Sequence, residues 1–203
     1  MATMSEPVMT VAESIRSRRA IRSYAPTPVE RATVMKLLEA AVLAPTAVHE
    51  EPWSFLVIQD RALLRRLSDR AKAMMAVEAT GHEQALDAPA RARQRRRKDL
   101  VADPEFNIFY DAGTLVAVCA RPLGHFVVAD CWLAAENLML MACAMGLGTC
   151  PIGFALPVLN APEVKAELGV PADVEVVAPI IVGYPSGSPP RGHRRPPQIS
   201  AWR

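Results

Sequence analysis

The chain has 203 residues, 51% of them hydrophobic and 22% charged, with a formal net charge of +2. That length suffices for one large domain or two small ones, and a mean hydropathy of +0.12 excludes a predominantly disordered polypeptide. The near-neutral balance excludes a polyanion binder driven by overall charge and leaves only local basic patches, most of them built from arginine.

Residues 1–9 lack the apolar core of a secretory signal and read as a flexible N-terminus. Thr10 followed by Glu13 is a capping-box pattern, opening a short helix through Val11 and Ile15. Thr27, Pro28 and Glu30 suit the N-cap, first and third positions of a second helix, whose face repeats at Val34, Leu37, Leu38, Ala41 and Val42 and stops before Pro45. Residues 53–58 read as a strand, and Asp60 as the cap of a helix carrying Leu63, Leu64 and Leu67. Residues 72–104 lose periodicity at Gly81, Pro89 and Pro104, and positions 91–98 are mostly basic; the segment reads as an exposed, partly helical lid.

Residues 113–120 form a continuous apolar run of the kind found in buried strands. Residues 130–147 predict a helix apolar nearly all round, broken only by Glu136 and Asn137. Such a helix needs cover on every side, which points to a subunit interface. A short strand at 149–152, a short helix after Asn160 and Pro162 ending at Gly169, and a strand at 174–182 follow. Residues 184–203, rich in proline and arginine and without periodicity, read as an extended arm. The whole, residues 1–203, reads as a single α+β domain around a central sheet.

In the uncharged stretch 137–162, glycines and prolines leave only 138–147 as an unbroken apolar run, too short to cross a bilayer. Cys119, Cys131, Cys143 and Cys150 fit no metal-ligand spacing and read as buried, reduced thiols. No metal and no membrane association are expected, and the chain reads as cytoplasmic.

Four segments carry residue types suited to ligand chemistry. Arg18, Arg19 and Arg22 flank Ala20; closely spaced guanidinium groups either grip a phosphate or form a solvated basic turn. Residues 44–53, APTAVHEEPW, hold Thr46, Ala47, His49, Glu50 and Glu51 between Pro45 and Pro52, either a rigid binding loop or a surface loop beside a core Trp53. Residues 146–154, GLGTCPIGF, offer glycine-rich backbone for close ligand approach, or simply a tight helix-to-strand turn. They do not match GxGxxG, so a Rossmann dinucleotide site is a poor fit. Arg194 and Arg195 lie in a basic tail that is either functional or a flexible end.

Taken in order, these segments resemble the FMN-dependent nitroreductase family over about residues 11–197. SRRAIRSY (17–24) is similar to the family's phosphate-binding segment RRSxRxF, and LLEAAVLAPTAVHEEPWSFLVI (37–58) to its helix, loop and strand ending APSxxNxQPWxF. ENLMLMACAMGLGTCPIGF (136–154) resembles the long dimer-core helix and flavin-facing turn, VVAPIIVGYP (176–185) the last strand, and RRPP (194–197) the basic tail.

The resemblance implies a nitroreductase-like fold: a central, mostly antiparallel sheet flanked by helices, with the C-terminal arm exchanged in a homodimer. By residue match, Arg18 and Arg22 would hold the FMN phosphate with Arg194 or Arg195, while Arg19 and Ala20 line the ribityl chain. Pro45, Thr46, Ala47 and His49 would approach the ring from the other subunit, and main chain at Pro151, Ile152 and Gly153 would face flavin N5. NADH or NADPH would deliver hydride to N5, then yield to a small-molecule oxidant such as a nitroaromatic or quinone in a ping-pong cycle. No side chain need act as nucleophile.

Four departures from the family pattern stand out. Its Ser is Ala20, its Asn is His49 and its Gln is Glu51, and the turn at 151–154 is one residue shorter than PIEGF. A carboxylate at 51 opposes an anionic reduced ring unless paired or turned away. His49 would pair with it or donate a proton, or both would simply hold the loop. Alternatives on the same scaffold are a dehalogenase, a flavin-destroying synthase or a dehydrogenase. From other classes come a flavin carrier, or a module binding an anionic partner through residues 91–98. That basic run has no interleaved aromatics, so nucleic acid is not expected.

Overall fold

Thr10 opens the first helix, α1 (Val11–Ser17), with the reciprocal bonds its sequence predicts. Thr10 Oγ1 accepts the Glu13 N–H at 3.3 Å, and Glu13 Oε2 accepts the Thr10 N–H at 2.8 Å. This is seen in a computed structural model that describes residues 9–78, 95, 98–122, 124–187, 192 and 194–203. Helix α2 (Arg31–Ala41) starts later than Thr27 and Pro28 predict, with Glu30 at its N-cap. The cause is tertiary: Val29 is buried and its carbonyl accepts Gln59 Nε2 at 2.7 Å, while the Pro26 carbonyl accepts from Arg61. Those anchors hold 26–29 as an extended strap.

Strand β1 (Trp53–Ile58) lies where expected, and Asp60 Oδ1 accepts the N–H groups of Ala62 and Leu63 at 2.9 and 3.1 Å to cap α3 (Arg61–Glu78). The predicted excursion at 72–104 is corrected at its N-terminal end. Residues 72–78 complete α3, with Lys72 and Met75 buried, and Lys72 Nζ donates to the carbonyls of Asp103 and Pro104. Residues 79–94 and 96–97, and with them most of the basic run, lie outside the described residues.

Strand β2 (Thr114–Ala120) is buried throughout. Helix α4 (Val127–Ala144) begins and ends three residues before the predicted 130–147. Gly146, at φ 75°, supplies the left-handed turn after it. Strand β3 (Gly148–Pro151), helices α5 (Leu156–Leu159) and α6 (Pro162–Glu167), and strand β4 (Glu175–Gly183) complete the fold.

The strands form one antiparallel sheet in the order β1-β2-β4-β3, with a register shift where Val118 faces Ala178 but Cys119 faces Val176. Alternation divides each central strand between two cores. Leu115, Ala117, Cys119, Val176 and Ile181 pack against α3, α5 and α6; Val116, Val118, Ala178, Ile180 and Val182 pack against α2 and α4. By length and composition α4 is apolar enough to cross a membrane, which the 138–147 run alone did not suggest. Its inner face lies on the sheet, and Asn137 Nδ2 donates to the Ala40 carbonyl of α2. Its outer side leaves Val128, Trp132 and Leu133 exposed, beside Phe126.

Residues 20–25 extend the sheet beyond β3. Ala20 bridges Thr149 in parallel, and the Ile21 N–H donates to the Thr149 carbonyl at 2.9 Å. The start of the C-terminal arm closes over the same segment: Ala25 N–H donates to the Tyr184 carbonyl at 2.8 Å and Ser186 N–H to the Ser23 carbonyl at 2.9 Å. The arm therefore begins as packed backbone rather than as a free tail.

Three thiols are buried and Cys143 is half-buried, so the four are not equivalent. Burial pushes the Cys119 thiol up to about 11 and the Cys131 thiol up to about 12, and raises Cys150 and Cys143 as well. Arg18 and Arg19 oppose the rise at Cys143, which is also the one thiol of the four that solvent reaches. Because the thiolate is the reactive form, a neutral-pH thiol reagent should label only Cys143 in the native protein and all four residues after denaturation. Mass spectrometry of the labelled peptides checks this; rapid native labelling of Cys119 or Cys131 would contradict it.

Candidate functional site

The C-cap of α1 places Arg18 against α4. Its Nε lies 3.3 Å from Glu136 Oε1, close enough for an ion pair, yet it makes no hydrogen bond and is sealed from solvent. A buried guanidinium N–H without an acceptor is costly and marks a place where an acceptor belongs. Arg19 donates to the carbonyls of Arg16 and Arg18 at 2.7 and 2.8 Å. Ala20 and Ile21 are fixed on β3, and Arg22 then lies over the Tyr110 ring at 5.8 Å. Tyr110 and Asp111 hold left-handed backbone at φ 51° and 55°.

The tail reaches this corner. A Cβ at Gly192 would stand 3.9 Å from Arg19 Nε, so the segment leading to Arg194 and Arg195 passes beside the first arginine cluster. Arg194 and Arg195 are exposed, while Arg191 and His193 lie outside the described residues. At the end of β3, the Ile152 N–H donates to the Pro179 carbonyl at 2.8 Å. It is therefore committed within the chain. Gly153 opens the next turn, Gly153–Ala155, and its N–H has no backbone partner among the described residues. Pro151, lacking an N–H, offers none.

The second loop lies elsewhere. Pro45 and Thr46 lead into a 3-10 turn, Ala47–His49, in which the Ala47 carbonyl accepts the Glu50 N–H. Val48, His49 and Glu51 all have positive φ, at 48°, 58° and 44°. None is glycine or asparagine, and each such residue costs about 1–3 kcal/mol that its surroundings must supply. His49 and Glu51 are exposed and make no ion pair with each other among the described residues. Glu50 and Glu51 line a cleft of about 580 Å³ at the β1 edge, with Trp53, Phe55, Arg121 and Val170.

These two groups sit at diagonally opposite corners of the sheet. The arginine segment borders β3, whose Thr149 faces Val182 near the end of β4; the loop precedes Trp53 of β1, which faces Ala120, itself opposite Glu175 at the start of β4. Along the sheet Thr149 and Trp53 are roughly 25 Å apart; on the helix side the two groups come nearer, since Arg18 meets Glu136 and Ala47 meets Asp130, roughly 9 Å apart along α4. Within one protomer the predicted site residues therefore form two sets: Arg18, Arg19, Ala20, Arg22, Pro151, Ile152 and Gly153 at one corner, and Pro45, Thr46, Ala47, His49 and Glu51 at the other.

A family model described as the nitroreductase family matches residues 15–184. The chain belongs to the nitroreductase family. An Archaeoglobus fulgidus protein named a putative NADH dehydrogenase/NAD(P)H nitroreductase is 30% identical over 176 residues, covering 84% of this chain and 83% of its own. A 5,6-dimethylbenzimidazole synthase from Rhodospirillum rubrum is 31% identical over 176 residues, 83% of this chain and 78% of that one. Among solved structures, a Bacteroides fragilis nitroreductase with bound FMN superposes with a TM-score of 0.76 at 25% identity, covering 96% of this chain and 98% of that one. The nitroreductase fold expected from sequence is thus the observed one.

Sequence reasoning missed three residues of these corners. Glu136 was legible as a charge in an apolar helix, but not as the partner of Arg18. Tyr110 left no signal of its backbone conformation. Asp130, in the first turn of α4, is 4% exposed and takes the Ala47 N–H on both carboxylate oxygens, at 3.3 and 3.4 Å. A carboxylate inside an apolar helix demands a partner, and that signal was available.

Proposed function

We propose that the protein is a cytoplasmic, homodimeric FMN-dependent oxidoreductase that accepts hydride from NADH or NADPH and reduces a small organic acceptor in a ping-pong cycle. The observation that carries this reading is Arg18 Nε, buried and without a hydrogen-bond acceptor in a segment that also bears Arg19 and Arg22. That donor set fits a phosphate monoester, and the neighbouring passage of the tail at Gly192 fits closure over it by Arg194 or Arg195. Gly153 offers a main-chain donor without a backbone partner among the described residues at the adjoining turn.

When bound, FMN supplies the two-electron carrier that nicotinamide donors and organic acceptors share. The chain's residues position it: Arg18 and Arg22 anchor the anionic end, and Arg19 and Ala20 line it with backbone. The loop bearing Pro45, Thr46, Ala47 and His49 completes the site from a second chain; within one chain it leads into β1, at the opposite edge of the sheet from the arginine segment beside β3. Glu51 turns toward the β1 cleft shared with Arg121, which relieves the clash between a carboxylate and a reduced, anionic ring.

Dimerisation finds support in exposed apolar side chains at Val11 and Ile15 of α1 and at Val128, Trp132 and Leu133 of α4. The outer edge of β1 has no strand neighbour among the described residues. The arm's exposed Ile199 and Trp202, with Arg203, match a cleft rimmed by Glu50 and Glu51, and we assign the partner's arm beyond Arg195 to that edge. Relatives of 30% and 31% identity bear names of different reactions, so the scaffold alone does not set the acceptor.

Purified protein should be yellow, with close to one flavin per chain, and should bleach anaerobically on addition of NADH or NADPH. A colourless protein that FMN cannot reconstitute would overturn the cofactor assignment; a loaded protein that neither nicotinamide reduces would overturn the donor.

A further inference from the structure

Ala47 is held at both ends. Its carbonyl accepts the Glu50 N–H at 3.1 Å, closing the turn, and its N–H points at the carboxylate of Asp130 on a different element. Asp130 is nearly sealed from solvent in the first turn of α4, where the positive end of the helix favours a carboxylate. Between and beyond these two bonds the backbone runs through left-handed Val48, His49 and Glu51. A β-branched residue such as Val48 has no local reason to adopt that conformation, so a tertiary contact must impose it. The Ala47 bond to Asp130 is the long-range hydrogen bond that the described structure offers at this turn.

We propose that Asp130 is a positioning residue: by holding the Ala47 amide it keeps the strained turn in place and so sets where His49 stands at the cofactor site of the neighbouring chain. The second half of this statement rests on the FMN reading above; the first half does not.

The full-length protein, with and without FMN, is compared with D130A, D130N, V48G and the D130A/V48G double variant. Two readouts are taken: amide hydrogen exchange at residues 46–51 by NMR, and FMN affinity by fluorescence titration. Asp130→Ala should speed exchange of the Ala47 and Glu50 amides by about tenfold or more and weaken FMN binding by about tenfold. Asp130→Asn keeps an acceptor oxygen and should recover most of both losses. Val48→Gly takes φ above zero without strain, so adding it to D130A should restore part of the slow exchange and part of the affinity. Simple loss of a buried charge would lower stability throughout the protein and would not be rescued at position 48. Exchange at Ala47 unchanged in D130A, or effects of the two substitutions that merely add, would overturn the proposal. If the native protein does not bind FMN, the cofactor reading falls while the exchange data still decide the role of Asp130.

Discussion

Arg18→Ala should weaken FMN binding by about 10- to 100-fold while leaving the fold intact. The range follows from the worth of a hydrogen bond to a charged group, about 1.5–3 kcal/mol, at roughly 1.4 kcal/mol per factor of ten. The fold should tolerate the change for a specific reason. The ion-pair partner, Glu136, has a side chain 45% exposed and can return to water, and an exposed pair of this kind contributes little to stability. What the substitution removes is the sealed Nε donor, which has no protein acceptor to lose. Titration of apoprotein with FMN measures the affinity, and thermal unfolding of the apoprotein provides the control. Unchanged affinity would remove Arg18 from the phosphate site; a large drop in apo stability would make it a structural residue instead.

Gly148→Ala should be the most damaging small substitution near this corner. A Cβ there would stand 2.6 Å from Cγ1, 2.8 Å from Cβ and 2.9 Å from Cγ2 of Ile21. These atoms lie at the base of a β-branched, buried side chain and cannot swing away, so the Ala20–Ile21 segment must lift off β3. Overpacking of this kind costs about 1–3 kcal/mol, or roughly 2–12 °C in Tm for a chain of this size. Since the displaced segment carries Arg18, Arg19 and Arg22, FMN affinity should fall with stability. By contrast, Gly153→Ala adds a Cβ to open space and should leave Tm nearly unchanged. Differential scanning calorimetry of both variants checks the contrast; equal melting temperatures would show that Ile21 yields.

Where local chemistry decides structure, the chain was legible. Thr10 with Glu13, Asp60, and the apolar runs of β1 and β2 rest on caps and hydrophobic pattern, and each lies where its residues indicate. Where a distant contact overrides local preference, reading failed. Thr27 and Pro28 are good helix starters, but burial of Val29 and the Gln59 bond hold that stretch extended. The C-terminal end of α4 moved because Gly146, not Leu147, supplies the left-handed turn that ends it. The arginine cluster and the 44–53 loop were both visible as candidate site segments. Their placement at opposite corners was not, because strand order is a property of the sheet and not of any one strand. Nor does Val48 advertise a left-handed turn, since a β-branched residue disfavours one.

The pairing of residues 20–25 with Thr149 and with the segment from Tyr184 to Ser186 joins stretches far apart in sequence. Such contacts carry a large loop-closure cost and little local reward, so they are expected to form after the β1-β2 and β2-β4 pairings have consolidated. On the ribosome, the arginine segment is made early, yet it has nothing to dock against until β3, β4 and Pro185 have emerged. Docking of the arginine segment is therefore a late step of folding, and capture of the cofactor proposed for it comes later still. Shortening it to end at β4 should leave a folded sheet whose oldest residues still lack their final neighbours.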